Sequence, residues 1–154
     1  MSREMPAPPH IPVRPAWLAL HTEEALEPAL PIIDAHHHLW RFPDKSYRSA
    51  DLLGDLASGH NIRATVFIEC QTCYRATGPA EMASIGEVEF VLDEIEAARD
   101  AGSSVRVAAA MVGHADLLLG ARVASVLEAL ISSSAGRVSS IRNIGVWHAD
   151  PTVR

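Results

Sequence analysis

Between residues 32 and 144 the chain alternates short apolar runs with longer stretches in which apolar residues recur every three or four positions. No other feature limits its possible folds as strongly. Runs at 32 to 35, 63 to 69 (RATVFIE), 105 to 112 (VRVAAAMV) and 138 to 144 have strand length and strand composition. The first intervening helix is predicted over 50 to 58, opened by Ser49 and closed by Gly59. The second opens at Ser84-Ile85-Gly86-Glu87, which has capping-box spacing, carries the stripe Val88, Val91, Leu92, Ile95 and Ala98, and ends at Gly102. The third sets Val123, Val126, Leu127, Leu130 and Ile131 on one face and stops near Gly136.

The order is therefore β-α-β-α-β-α-β. Strands separated by helices of this length pair in parallel through right-handed crossovers. Two architectures satisfy that constraint: an open doubly wound sheet, or part of a (β/α)₈ barrel. A full barrel takes ~250 residues, and four strands with three helices are about half of one.

A chain of 154 residues that is 48% hydrophobic and 21% charged can bury one core. Its formal charge is -6, and the single lysine, Lys45, stands among scattered arginines with no basic block, so nothing points to nucleic acid. No apolar stretch approaches the ~20 residues that span a bilayer, and no signal peptide is legible at the N-terminus. These absences, with only two cysteines, predict a cytoplasmic protein. Residues 1 to 31 hold seven of the ten prolines, so 1 to 30 is read as a Pro-rich arm, pinned to the body by Trp17, Leu18 and Leu20, ahead of a domain over 31 to 154.

Chemistry concentrates at the ends of the predicted strands, where parallel α/β proteins place their sites. The stretch PIIDAHHHLWR ends strand one in His36, His37 and His38. Alternation puts His36 and His38 on one side and His37 on the other, which makes the first pair a candidate metal clamp. Strand two ends in Glu69, strand three in His114, and strand four in Arg142 and Asn143. Glu69 and Arg142 are candidate substrate-binding groups, Arg142 through its planar fork. His114 is equally suited to capping helix three, satisfying a loop carbonyl or touching a ligand. Cys70 and Cys73 form CQTC after strand two, yet the next helix starts too late to activate a thiol. Loop packing is the default reading for them.

With IIDAHHHLW, the segments ATVFIEC, GEVEFV, MVGHADL and SSIRN resemble the N-terminal half of the amidohydrolase-related, metal-dependent TIM-barrel hydrolases, in the branch of 2-pyrone-4,6-dicarboxylate lactonase and sugar lactonases. The likeness covers about residues 31 to 150. It implies a truncated (β/α)₈ barrel that hydrolyses a lactone, ester or amide of a small, carboxylate-bearing molecule. It also implies zinc or manganese on His36 and His38, although lactonases of this type depend on metal weakly or not at all. Arg142 matches the arginine of a strand-four G-I-R-H pattern, read here S-I-R-N, so Asn143 stands where the histidine would be. The family's later histidines and its aspartate base are expected beyond Arg154, so the chain alone is expected to be inactive or impaired. Two other readings are a non-catalytic half barrel that binds a metal or partner and a decarboxylase on the same barrel. A half barrel leaves strand edges open, which predicts a homo-oligomer that closes them.

Overall fold

The computed structural model describes residues 14–145, 147–150 and 152. Its framework is a four-stranded parallel sheet of β1 (Pro31–His37), β4 (Asn61–Ile68), β5 (Arg106–His114) and β6 (Val138–Arg142), in the order β1-β4-β5-β6. The crossovers carry α2 (Ser49–Leu56), α3 (Ile85–Asp100) and α4 (Val123–Ser133). A doubly wound sheet reverses its strand order at a switch point. This one does not, so right-handed crossovers lay every helix on the same face. Consistent with that, α2 packs on α3 and α3 on α4.

One core fills the space between helices and sheet, built from Leu52 of α2, Val88, Phe90 and Val91 of α3, Val126 and Leu130 of α4, and Phe67, Val107 and Met111 of the strands. Most of the stripe expected on α3 is there, and Gly102, at φ +79°, ends the helix as expected. The other face of the sheet has no cover among the described residues, and Ile33 is 62% exposed on it.

Strand register climbs steadily across the sheet. His37, the last residue of β1, pairs with Phe67, Phe67 with Met111, and Met111 with Val138, the first residue of β6. Bulges interrupt each ladder. At one of them Ala108, at φ +44°, turns its N–H onto Thr65 Oγ1 at 2.9 Å.

Several local expectations are corrected. Ser49 does not open α2: Arg48 precedes it, Asp51 accepts the Arg48 N–H at 2.8 Å, and Ser49 is buried with its N–H and hydroxyl on Glu94. The capping box at Ser84 does not form either. The Ser84 hydroxyl donates to the His114 carbonyl at 2.9 Å, and Glu87 turns inward to accept the N–H groups of Cys70 and Thr72. Between β1 and α2 lies a small hairpin of β2 (Trp40–Arg41) and β3 (Ser46–Tyr47), in which Trp40 stacks on Tyr47. Strand four stops at Arg142 rather than 144. Among the described residues of the arm, only the single turn α1 (Pro15–Leu18) is regular, and Trp17, Leu18 and Leu20 are exposed rather than pinned to the body. Residues 1 to 13 of the arm lie outside the described residues.

Candidate functional site

The three successive histidines at the end of β1, His36 and His37 in the strand and His38 just after it, separate to two sides. His37 faces the helices, buried against Phe67, with its Nε2 hydrogen-bonded to the Thr65 hydroxyl at 2.8 Å. The same hydroxyl oxygen accepts the Ala108 N–H. Burial lowers the pKa of His37, with the Asp34 charge working against it, so His37 is a neutral tie between β1, β4 and β5.

His36 and His38 lie together on the other side, with Nε2 to Nε2 at 3.3 Å and rings edge to face. His38 Nδ1 lies 2.8 Å from the Ile68 carbonyl, which can only accept, so Nδ1 carries the proton and Nε2 keeps its lone pair. Metal-binding histidines commonly donate their other ring N–H to a backbone carbonyl in this way, which fixes the ring's orientation. Two nitrogens 3.3 Å apart, each ~2.0–2.1 Å from one ion, subtend about 105–110°, the tetrahedral angle zinc prefers. The pair therefore fits as half of a coordination set. Among the described residues no three His, Cys, Asp or Glu side chains are placed to hold one ion.

The other three candidates meet in a second cluster. Glu69, 1% exposed directly after β4, accepts from Arg142 Nε at 2.7 Å, while Arg142 Nη2 donates to the Glu69 carbonyl at 2.6 Å. His114 Nδ1 donates to the Arg142 carbonyl at 3.1 Å. The ends of β4, β5 and β6 are thus laced together. Glu69 Oε2 is buried without a partner, and the Arg142 side chain remains 36% exposed. Of the roles open to His114, capping is not the one adopted: Asp116 Oδ1 accepts the Leu118 N–H at the 3₁₀ turn Leu117–Arg122 before α4.

Sequence reading missed Tyr74, whose ring stacks on His114 at 6.4 Å between centroids and whose hydroxyl is buried without a partner. Its only sequence signal was an aromatic residue in an otherwise polar loop. Tyr74, Ser84, His114, Asp116 and Arg122 line a cleft of about 460 Å³ beside the cluster. Burial, then the Glu87 charge, push the Cys70 thiol up to about 12, away from a reactive thiolate. Both cysteines are free.

No family model, curated protein or solved structure matches the chain. Among the described residues no helix is long and apolar enough to cross a membrane.

Proposed function

We propose that this chain is the N-terminal half of an amidohydrolase-type barrel whose complete form is a lactonase-like hydrolase of small, carboxylate-bearing substrates in the cytoplasm. The observation that carries the reading is the His36–His38 pair. It stands at the carboxyl end of the first strand of the parallel sheet, with the two Nε2 atoms 3.3 Å apart and His38 held from behind by the Ile68 carbonyl. A divalent zinc or manganese ion, when bound there, would polarise a carbonyl and acidify a water.

The chain's own residues supply binding and orientation. The guanidinium of Arg142 is fixed by two bonds to Glu69 and still reaches solvent, so its free edge is set to take a substrate carboxylate. His38 cannot rotate without losing Ile68, which keeps its Nε2 aimed at the shared point. A second reading, a half barrel that binds metal without turnover, is favoured by the pair standing without a third ligand among the described residues.

The test is calorimetric titration with zinc and with manganese, run beside a panel of lactones. Metal binding abolished by both His36→Ala and His38→Ala is expected. Binding unaffected by either substitution would end the assignment. Lactone opening that depends on the two histidines supports the hydrolase, whereas metal binding without hydrolysis supports the second reading. Release of carbon dioxide in place of ring opening would indicate a decarboxylase.

A further inference from the structure

At the end of the sheet away from the histidines, where α3 stops and β5 starts, lies a cleft of about 240 Å³. Arg99 near the end of α3, Arg106 at the start of β5 and Arg137 just before β6 all line it, with Ser103 and Ser104 of the intervening loop. We propose that this cleft binds the phosphate group of a small anionic ligand. The proposal is independent of the hydrolase reading. Arg106 and His114, the first and last residues of β5, are about 26 Å apart at ~3.3 Å per residue, so a ligand here does not touch the histidine end.

Charge marks the place first. The chain carries 19 acidic residues against 13 basic ones, yet among the described residues three arginines and no carboxylate line this cleft. The C-terminal end of α3 favours a nearby cation, which accounts for Arg99. It does not account for Arg106 and Arg137, which come from the strands. Nor do the last carbonyls of α3 claim the arginines: those of Ala97, Ala98 and Arg99 are engaged by the N–H groups of Ala101, Ser103 and Gly102.

A buried donor points the same way. Arg48 and Arg142 each bond a glutamate that is 1% exposed, Glu94 and Glu69. Arg137 has no such acid: its Nε is buried and has no hydrogen-bond partner among the described residues. A charged group left so is costly until an acceptor reaches it. The stem is fixed in advance, since the Arg137 N–H donates to the Ser134 carbonyl at 3.1 Å and its carbonyl accepts the Met111 N–H at 2.8 Å. Arg99 pairs with Glu96, but both side chains are more than half exposed, and such a surface pair yields readily to a stronger acceptor.

The donors define the ligand. A carboxylate can satisfy one guanidinium fork, whereas a phosphate group offers enough oxygens and charge for several. Size narrows it further. Clefts that enclose a whole drug-sized ligand begin at ~300 Å³, so this one takes the phosphate and leaves any larger remainder in solvent.

The experiment is calorimetric titration of the whole chain with inorganic phosphate and with glycerol phosphate, a simple monoester, at an ionic strength held constant with sodium chloride. One phosphate group per chain is expected, with a thermal midpoint that rises with phosphate concentration. Arg137→Gln is expected to weaken binding at least tenfold, and Arg137→Lys, which keeps the charge without the fork, to fall between it and wild type. Arg106→Gln, at an exposed position, is expected to weaken it several-fold and decides the matter alone if Arg137→Gln does not fold by circular dichroism. His36→Ala/His38→Ala is expected to bind as wild type does. Tighter binding of the monoester assigns the cleft to a carried phosphate and tighter binding of inorganic phosphate to the free anion; both uphold the site. It is overturned if neither probe saturates, if chloride at the same ionic strength reproduces the midpoint shift, or if binding survives both Arg106→Gln and Arg137→Gln. Loss of binding in the histidine variant alone moves the anion to the other end of the sheet and overturns it equally.

Discussion

Two buried glutamates of α3 have opposite relations to pH. For Glu94, burial raises the carboxyl pKa, but the Arg48 guanidinium and the N–H and hydroxyl of Ser49 outweigh it, and the net shift is downward. A lowered folded value adds stability that is present above the unfolded carboxylate pKa of ~4.3 and is lost as pH falls through the folded value. Glu94→Gln is expected to cost about 1–3 kcal/mol at neutral pH, with the gap to wild type closing below about pH 4. In Glu87, burial dominates and the net shift is upward, although the Cys70 and Thr72 N–H groups work against it. Its ionised form therefore costs stability at neutral pH, and that cost fades as pH falls through the raised value. Glu87→Gln keeps an acceptor for those donors and is expected to be at least as stable as wild type at neutral pH, the difference shrinking on acidification. Urea titrations across this range read both slopes. At Cys70, the raised thiol pKa leads to alkylation far slower than that of a free thiol at neutral pH, measurable by mass spectrometry with iodoacetamide.

The loop from β4 to α3 shows how one helix can be fixed by its neighbours more than by its own cap. Gln71 and Cys73 adopt φ of +63° and +52°, Glu87 gathers the Cys70 and Thr72 N–H groups, and the backbone folds down onto Gly86. A Cβ at Gly86 would stand 2.4 Å from the Cys73 carbonyl oxygen and 2.7 Å from the Arg75 nitrogen, both backbone atoms. Gly86→Ala is expected to destabilise by about 2 kcal/mol or more. Gly113 on β5 is the matched contrast: there a Cβ meets only the Leu130 and Val138 side chains at 3.6 Å or beyond. Gly113→Ala is expected to lie within about 1 kcal/mol of wild type by the same urea assay. Helix periodicity located α3 correctly but could not reveal this loop, because Glu87 in the first turn of a helix looks like a capping residue until Cys70 is brought beside it.

At the scale of the whole molecule, the helices pack on one face of the four-stranded sheet, and among the described residues no element packs on the other. If the chain forms the homo-oligomer expected of open strand edges, its stability is tied to its concentration by mass action. The thermal midpoint is then expected to rise with each tenfold increase in chain concentration, and Ile33→Lys is expected to abolish that dependence. Calorimetric scans over two decades of concentration test this, and a midpoint independent of concentration in the wild type counts against an assembly of copies.

The alternation of apolar runs and amphipathic stretches by itself determined four parallel strands, the crossover helices and the face on which each histidine of β1 stands, because backbone geometry makes period and direction local properties. Only the tertiary structure decided the rest. Both winding schemes share one element order, and the strand order β1-β4-β5-β6, without a switch point, appears only in the folded sheet. Glu69, His114 and Arg142 are far apart in sequence, and nothing local indicates that Arg142 bonds Glu69 or that His114 rests on Tyr74. Ser49 and Ser84 carried the residue type of a cap and serve instead as contacts to Glu94 and His114, since a hydroxyl donates to whichever acceptor the packing delivers.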